Sequence, residues 1–435
     1  MLFPASTEDV QKLVCNARKN GTSLVPVSSG APHFHGASEN PGAETVCFSR
    51  MDRIMTIDRK GRYVRVESGV TFGELIPKLT EAGLRLNLPF LPRPGKSVAA
   101  SALEREAILI PKYQYDYPDP LLTVEAVFGT GDVFRTGSAA GPGSFEENSS
   151  DKILPWGPGS MDYLRLFSAA QGTFGLITWA TLKAEIVPTV SRLFLIQSEN
   201  ISSLIDLAYD LTLNRIPDEC IILNRRNFAC AFAQDQSEEA ELSRAASWVM
   251  LCRVCGFDRY PEERLAIYEG YVEDACKKHF LSCERQPAFL PRPMKAYEAM
   301  LTDCDRREIY WKLRHGPERE LLMLAPPSKT AAIADRLQTR FPEAGVTVQP
   351  QVQGRAHRIE CDLFLENGGE KVDITAESAL FEAAKELMPM GAYFDRPYGR
   401  LPELVYSEPT STDAIRRLKD IFDPDHILNP GKLCF

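Results

Sequence analysis

Long apolar runs, clustered basic charge and paired metal-ligand histidines are all missing from this chain of 435 residues. No apolar stretch reaches the roughly 18 residues that cross a bilayer, so no membrane span is expected. Met1-Leu2-Phe3-Pro4 carries no basic flank followed by an apolar segment, and no secretory signal is read there. A formal net charge of -9, unrelieved by any lysine or arginine cluster, argues against a nucleic-acid partner. Histidine is scarce: His33, His35, His279, His315, His357 and His426 are all there are, and no two show metal-ligand spacing on a helix. No metal site is expected.

Cysteine is not scarce, but its pattern excludes a framework. The eleven cysteines form an odd, scattered set in a chain without an export signal, which reads as reduced thiols in a cytoplasm. Cys252 and Cys255 form a CxxC inside Trp248–Phe257, a segment that reads as a buried strand, with no second CxxC or histidine pair to complete an iron–sulfur or zinc site.

What is present is an ordinary globular composition, 44% hydrophobic and 25% charged, long enough for two or three domains. Ser6 and Asp9 open a helix with Val10, Leu13, Val14 and Ala17 on one face, ended by Asn20-Gly21. Strands are expected at 23–27, 45–48, 54–58 and 63–67, then a helix from the Thr71/Glu74 capping box to Gly83. A hairpin over 121–128 and 133–136 and one strand at 176–186 complete an α+β region, with a surface excursion at 137–158. A boundary is read near Pro188. Beyond it come strands at 191–197, 220–223, 228–233 and through Met250, and helices through Leu204–Leu211 and over 261–279. A second set follows, with strands at 321–324, 346–353 and 359–365 and helices at 330–341 and 374–387. Antiparallel strands with helices, given twice, predict a helix-covered sheet. A short amphipathic helix through Ile415, Leu418, Ile421 and Phe422 is stopped by Pro424.

Four turns of small residues stand at element edges. Val25–Gly36 runs from an apolar strand into Ser28-Ser29-Gly30-Ala31, whose side chains are too short to keep a ligand from the main chain; such a loop is either an anion nest or an ordinary turn. Leu91–Ser101, Ser168–Thr178 and Phe422–Leu433 are the others. In this order they resemble flavoproteins of the vanillyl-alcohol oxidase and p-cresol methylhydroxylase family, which includes glycolate and D-lactate dehydrogenases. The resemblance is strong over 1–190 and 385–435 and weak between.

The resemblance implies an α+β fold: an FAD-binding domain at 1–188, an α+β cap with an antiparallel sheet and most of the substrate pocket at 189–385, and a segment at 386–435 returning to the first domain. It sets FAD against Val27, Ser28, Ser29, Gly30, Ala31, Pro32 and His33, against Pro94, Gly95, Ser97, Val98, Ala100 and Ser101, and against Gly172, Thr173, Gly175 and Ile177. Asn429 is either a further flavin contact or the cap of a turn.

Three departures sharpen this reading. Pro32 stands where covalent-flavin members often carry histidine, so non-covalent FAD is expected. Val98-Ala99-Ala100 replaces Val-Gly-Gly, and Leu103–Glu106 and Lys112–Tyr115 replace a glycine-rich stretch. The Glu-His-Gly signature and paired histidines of metal-dependent members are missing. Gly391–Arg400 instead offers Arg396 and Tyr398, which are substrate anchors or members of a solvated turn. His357 and His315 are the candidate bases, with surface or core positions as the alternative. The implied activity is an FAD-dependent oxidoreductase, a dehydrogenase or oxidase that removes a hydride from a small CH–OH donor. Its electrons would go to dioxygen, a carrier or a partner subunit. The alternatives are a flavin electron-transfer subunit whose iron–sulfur clusters lie on another chain, and a degenerate member that binds no flavin.

Overall fold

The computed structural model describes residues 1–30, 42–113, 119–141, 154–365 and 370–435. Helix α1 (Thr7–Asn20) starts where Ser6 Oγ accepts the Asp9 N–H at 3.2 Å, and ends on Gly21 at φ +63°. Strands β1 (Leu24–Val27) and β2 (Glu44–Cys47) pair in parallel. β3 (Ile54–Asp58) and β4 (Tyr63–Glu67) form a hairpin, and α2 (Phe72–Glu81) follows with the Thr71 N–H bonded to Glu74 at 3.0 Å. Next come β5 (Leu84–Arg85), α3 (Val98–Leu103), β6 (Leu121–Val127), β7 (Val133–Arg135), β8 (Leu176–Lys183) and β9 (Glu185–Ile186). A five-stranded antiparallel sheet runs β3-β4-β8-β6-β7, and its core is Val64, Val66, Leu75, Val124, Ala126 and Ala180. The strand expected at 176–186 is two: β9 leaves this sheet to pair with β5.

The second region is built on a seven-stranded antiparallel sheet. In chain order its elements are β10 (Val190–Ser198), α4 (Ile201–Leu213), β11 (Glu219–Asn224), α5 (Arg225–Phe232), α6 (Gln236–Leu242), β12 (Trp248–Gly256), α7 (Pro261–Lys278) and β13 (Cys283–Glu284). Then follow α8 (Met294–Met300), β14 (Glu318–Ala325), α9 (Pro327–Arg340), β15 (Gly345–Gln351), β16 (Ala356–Phe364) and α10 (Glu370–Leu387). The sheet order is β13-β10-β12-β11-β15-β16-β14. α4, α7, α9 and α10 cover one face, burying Phe194, Ile222, Met250, Val348 and Ile359. The expected strand at 228–233 is the helix α5. Asn224 caps it by accepting the Asn227 N–H at 3.0 Å, and Phe228–Ala233 is apolar on every side, a pattern that buried strands and buried helices share.

The second region is fastened to the first by Cys220 N–H to the Leu109 carbonyl at 2.9 Å, Gln353 N–H to the Pro111 carbonyl at 2.7 Å, and the buried Arg85–Glu219–Arg253 ion pairs. Leu387, Ala392, Phe394 and Leu401 pack in the core of the second region, and α11 (Pro402–Val405) lies against it through Leu404 and Val405. α12 (Pro409–Phe422) then leads to Ile427–Asn429, which hydrogen-bonds along β1.

Candidate functional site

β1 delivers Val27, Ser28 and Ser29 to the rim of a cleft in the first region. Ser29 Oγ accepts the Ser97 N–H at 2.8 Å, tying this loop to the start of α3, and Ser97 Oγ in turn caps Ala100 N–H at 3.1 Å and donates to the Ser68 carbonyl at 2.6 Å. Ala100 and the turn Ala169–Gly172 line the opposite wall. That turn holds Ala169, Gln171 and Gly172 at φ +58°, +53° and +73°, a left-handed run of the kind that concentrates at ligand sites. A Cβ on Gly172 would stand 2.4 Å from Pro26 Cγ, so glycine is required there. Among the described residues, no acceptor takes the N–H groups of Ser28, Ser29, Gln171 or Gly172.

The C-terminal segment braces this wall from behind. Lys419, 1% exposed, donates from Nζ to the Thr173 carbonyl, to Asp423 Oδ2 at 2.6 Å and to the Leu428 carbonyl at 3.0 Å. Asp423 accepts the Ile427 and Leu428 N–H groups at 3.1 and 2.8 Å. Asn429 N–H bonds the Leu24 carbonyl at 2.8 Å and its Nδ2 bonds the Gln171 carbonyl at 2.6 Å.

A second cavity, the chamber, lies between the segments flanking α3 (Pro89–Lys96 and Glu106–Ala107), the Tyr310–Lys312 turn and the face of β14, β15 and β16 turned away from α9 and α10. Side chains alternate across these strands. Leu321, Met323, Val348, Ile359 and Cys361 face the helices, while Glu318, Glu320, Gln349, Arg358 and Glu360 line the chamber. Arg93 and Lys96 border both cavities, and Arg396 of the chamber lies 5.5 Å from the ring of Tyr398 in the cleft. Lys96 Nζ is bound by Glu104 at 2.8 Å and Glu106 at 2.5 Å. Burial pulls this ammonium down, but the two carboxylates outweigh it and hold its pKa above the usual lysine range. Burial likewise opposes the Glu106 carboxylate, yet Lys96 and Arg396 keep its pKa low. Burial raises the phenols of Tyr398 and Tyr310, so both stay protonated at neutral pH.

The sequence-derived set divides accordingly. Val27, Ser28, Ser29, Ala100, Gly172, Gly175 and Ile177 line the cleft. Ser97, Val98, Ser101 and Thr173 lie buried just behind it, as does Asn429, whose amide orients the Gln171 turn. Gly30 meets Arg93 through its carbonyl at 3.5 Å, and Pro94 and Gly95 border the loop without lining the cleft. Ala31, Pro32 and His33 fall outside the described residues. Arg396 and Tyr398 are brought to the wall between the cavities, but the two histidines are not. His357 shares the helix-facing side of β16, fully buried, with Nδ1 3.0 Å from Thr330 Oγ1, and burial lowers its pKa to about 4. His315 turns to Glu239 at 2.9 Å, outside both cavities. Sequence reasoning missed Lys96, Glu106, Tyr310, Lys312, Glu318, Glu320, Arg358 and Glu360. Charged residues on alternate positions of 358–362 were the available signal.

A profile described as an FAD binding domain matches residues 1–137, and one described as the C-terminal domain of FAD linked oxidases matches residues 402–433. Both ends of the chain thus resemble the FAD-linked oxidases. The chain is 23% identical to the glycolate oxidase subunit GlcD of Bacillus subtilis, over 100% of this chain and 88% of that one. It is 26% identical to a mitochondrial cytochrome D-lactate dehydrogenase of Arabidopsis thaliana, over 100% and 73%. Its fold matches that of a substrate-bound p-cresol methylhydroxylase with a TM-score of 0.82 at 18% identity, over 100% and 88%. The cleft fits FAD: unclaimed amides of Ser28, Ser29, Gln171 and Gly172 suit a diphosphate, and the small side chains of Ala100, Ala169 and Ala170 leave room for the ring system. Among the described residues no helix is long and apolar enough to cross a membrane.

Proposed function

We propose that the protein is an FAD-dependent oxidoreductase that removes a hydride from a small CH–OH donor, an alcohol or hydroxy acid, and passes the electrons to an acceptor or partner subunit. Bound FAD supplies the hydride-accepting chemistry; the chain binds, orients and excludes water. One observation carries the reading: the cleft and the chamber adjoin across the Arg396–Tyr398 pair and share Arg93 and Lys96. A donor in the chamber would meet Arg396, whose Nε has no partner among the described residues, as a carboxylate anchor, and Tyr398 as a hydroxyl partner at the cleft side. With His315 and His357 both out of reach, Glu106, beside Lys96 and Arg396 at the cleft end of the chamber, is left to take the hydroxyl proton.

The alternative, an electron-transfer subunit without a donor site of its own, draws support from the word subunit in the name of the Bacillus relative. A built polar chamber beside the cleft favours a donor on this chain. Eleven free thiols support residence in the cytoplasm.

Anaerobic mixing of the FAD-loaded protein with alcohols and hydroxy acids, followed by flavin absorbance, tests the reading. Arg396→Ala is expected to lower kcat/KM by about 100-fold and Tyr398→Phe by about tenfold, both with FAD content unchanged. Full turnover by both variants would remove the pair from the mechanism. Yellow protein reduced by no donor and co-purifying with a cluster protein would favour the subunit reading.

A further inference from the structure

The two ends of the chamber carry opposite charge. At the end beside the cleft, Arg93, Lys96 and Arg396 stand against Glu104 and Glu106. At the far end Lys312 Nζ is surrounded by Glu320 at 2.7 Å, Asp362 at 3.0 Å, Glu318 at 3.5 Å and Glu360 in contact. Arg358, also in this wall, is held on both arms by Asp395, each at 2.9 Å, and Arg396 acts on Glu320 from the cleft side. One ammonium therefore makes contact with all four carboxylates. Burying charge without compensation costs several kcal/mol per ion, so such a wall either takes up protons or receives a cation. Burial does push the carboxyls of Glu318 and Glu360 up, Glu360 to about 8, with Lys312 opposing and Asp362 and Glu320 reinforcing the rise.

The same wall is short of hydrogen bonds. Gln349 Oε1, on a residue 5% exposed, and Trp311 Nε1, on one 2% exposed, have no partner among the described residues, and both residues line the chamber. A carbonyl oxygen kept dry and unpaired beside a carboxylate cluster asks for a donor. The carboxylate oxygens of Glu318, Glu320 and Asp362 lie within 4.8 Å of one another, but a bare metal ion would need the centre that Lys312 holds. An alkylammonium needs only the outer oxygens.

We propose that the chamber selects a zwitterionic donor, its carboxylate at Arg93, Lys96 and Arg396 beside the cleft and a protonated amine at the far end against Glu320, Glu360 and the Gln349 oxygen. This rests on the reading that a donor occupies the chamber, and supplies its chemical class.

The test uses the FAD-loaded protein and straight-chain 2-hydroxy acids in pairs of equal length, one ending in a primary amine and the other in a methyl group. Binding is read by anaerobic calorimetry and reduction by flavin bleaching. The amine is expected to bind at least about tenfold more tightly, about 1.4 kcal/mol. Glu320→Gln should cut that preference to about twofold or less while leaving the methyl compound's affinity unchanged, with melting temperature and FAD content as controls. Should this variant misfold, amines shortened by two methylenes serve instead, and they should lose the preference in the native protein. Equal binding of the pair, or preference for methyl, overturns the inference, as does Glu320-dependent binding of magnesium or zinc alone at the far end with no amine preference. If the amine binds tightly but neither compound bleaches the flavin, the amine subsite stands and the hydroxy-acid reading falls. If both bleach it without preference, the reverse holds.

Discussion

The cleft and the chamber lie side by side yet are made from different parts of the polypeptide. The cleft is a main-chain site: Ser28, Ser29, Gln171 and Gly172 offer amides, and small side chains keep out of the way. The chamber is a side-chain site, in which charged groups project from alternate positions of three strands. A main-chain site tolerates many side chains provided that none intrudes, whereas a side-chain site is rewritten by single substitutions. Cofactor binding and donor choice should therefore fail independently.

The strongest way to break this separation is to intrude on the cleft. Gly172→Val places a β-branched side chain at φ +73° with its Cβ 2.4 Å from Pro26 Cγ. The flavin-to-protein ratio is expected to fall by about tenfold or more, since the turn carrying two of the diphosphate amides must move. Glu320→Gln, in the chamber, should leave that ratio unchanged. Equal flavin loss from both would mean that the two cavities are one site.

The next largest effect sharpens the comparison from behind the cleft wall. Lys419→Met leaves Asp423, which is 0% exposed, without its cation. Removing one partner of a buried pair costs about 3–5 kcal/mol, so the melting temperature should drop by several degrees. Flavin should also dissociate faster, because the Thr173 and Leu428 carbonyls lose the donor that joins them. A melting temperature that falls while flavin retention holds would show that the C-terminal brace serves stability alone.

The same contrast explains what could be seen in the sequence. Main-chain sites need contiguous runs of Gly, Ser and Ala at element ends, and these stand out in Val27–Gly30 and Ala169–Gly175. The chamber draws on residues from Arg93 to Arg396, adjacent only after β14, β15 and β16 have paired. Even so, parity within β16 carried information. His357, Ile359 and Cys361 fall on one side and Arg358, Glu360 and Asp362 on the other, so a histidine in step with Ile359 faces helices rather than substrate. Phe228–Ala233 shows the opposite limit, since an apolar run without polar positions has no period to read. Asn429 belonged to a recognisable turn, but only its bond to the Gln171 carbonyl reveals that it works through the cleft wall.

The smallest expected effect separates the two cavities by pH. Burial pushes the Glu360 carboxyl up to about 8 from an ordinary value of 4.5, against the pull of Lys312 and with the help of Asp362 and Glu320. Between those values the folded chain holds a proton that the unfolded chain has released, so this contribution to stability is full in acid and fades as the pH rises through about 8. Glu360→Gln keeps the neutral form at every pH. It should be close to neutral for stability at pH 5 and raise the melting temperature by about 2–4 °C near pH 9, an effect on the order of 1–2 kcal/mol. Ser28, in the cleft, has no titrating side chain, so Ser28→Ala should show no pH-dependent difference from the native protein. A melting curve for Glu360→Gln parallel to that of the native protein from pH 5 to 9 would mean that the chamber's excess negative charge is already compensated, and with it the need for a cation at its far end would disappear.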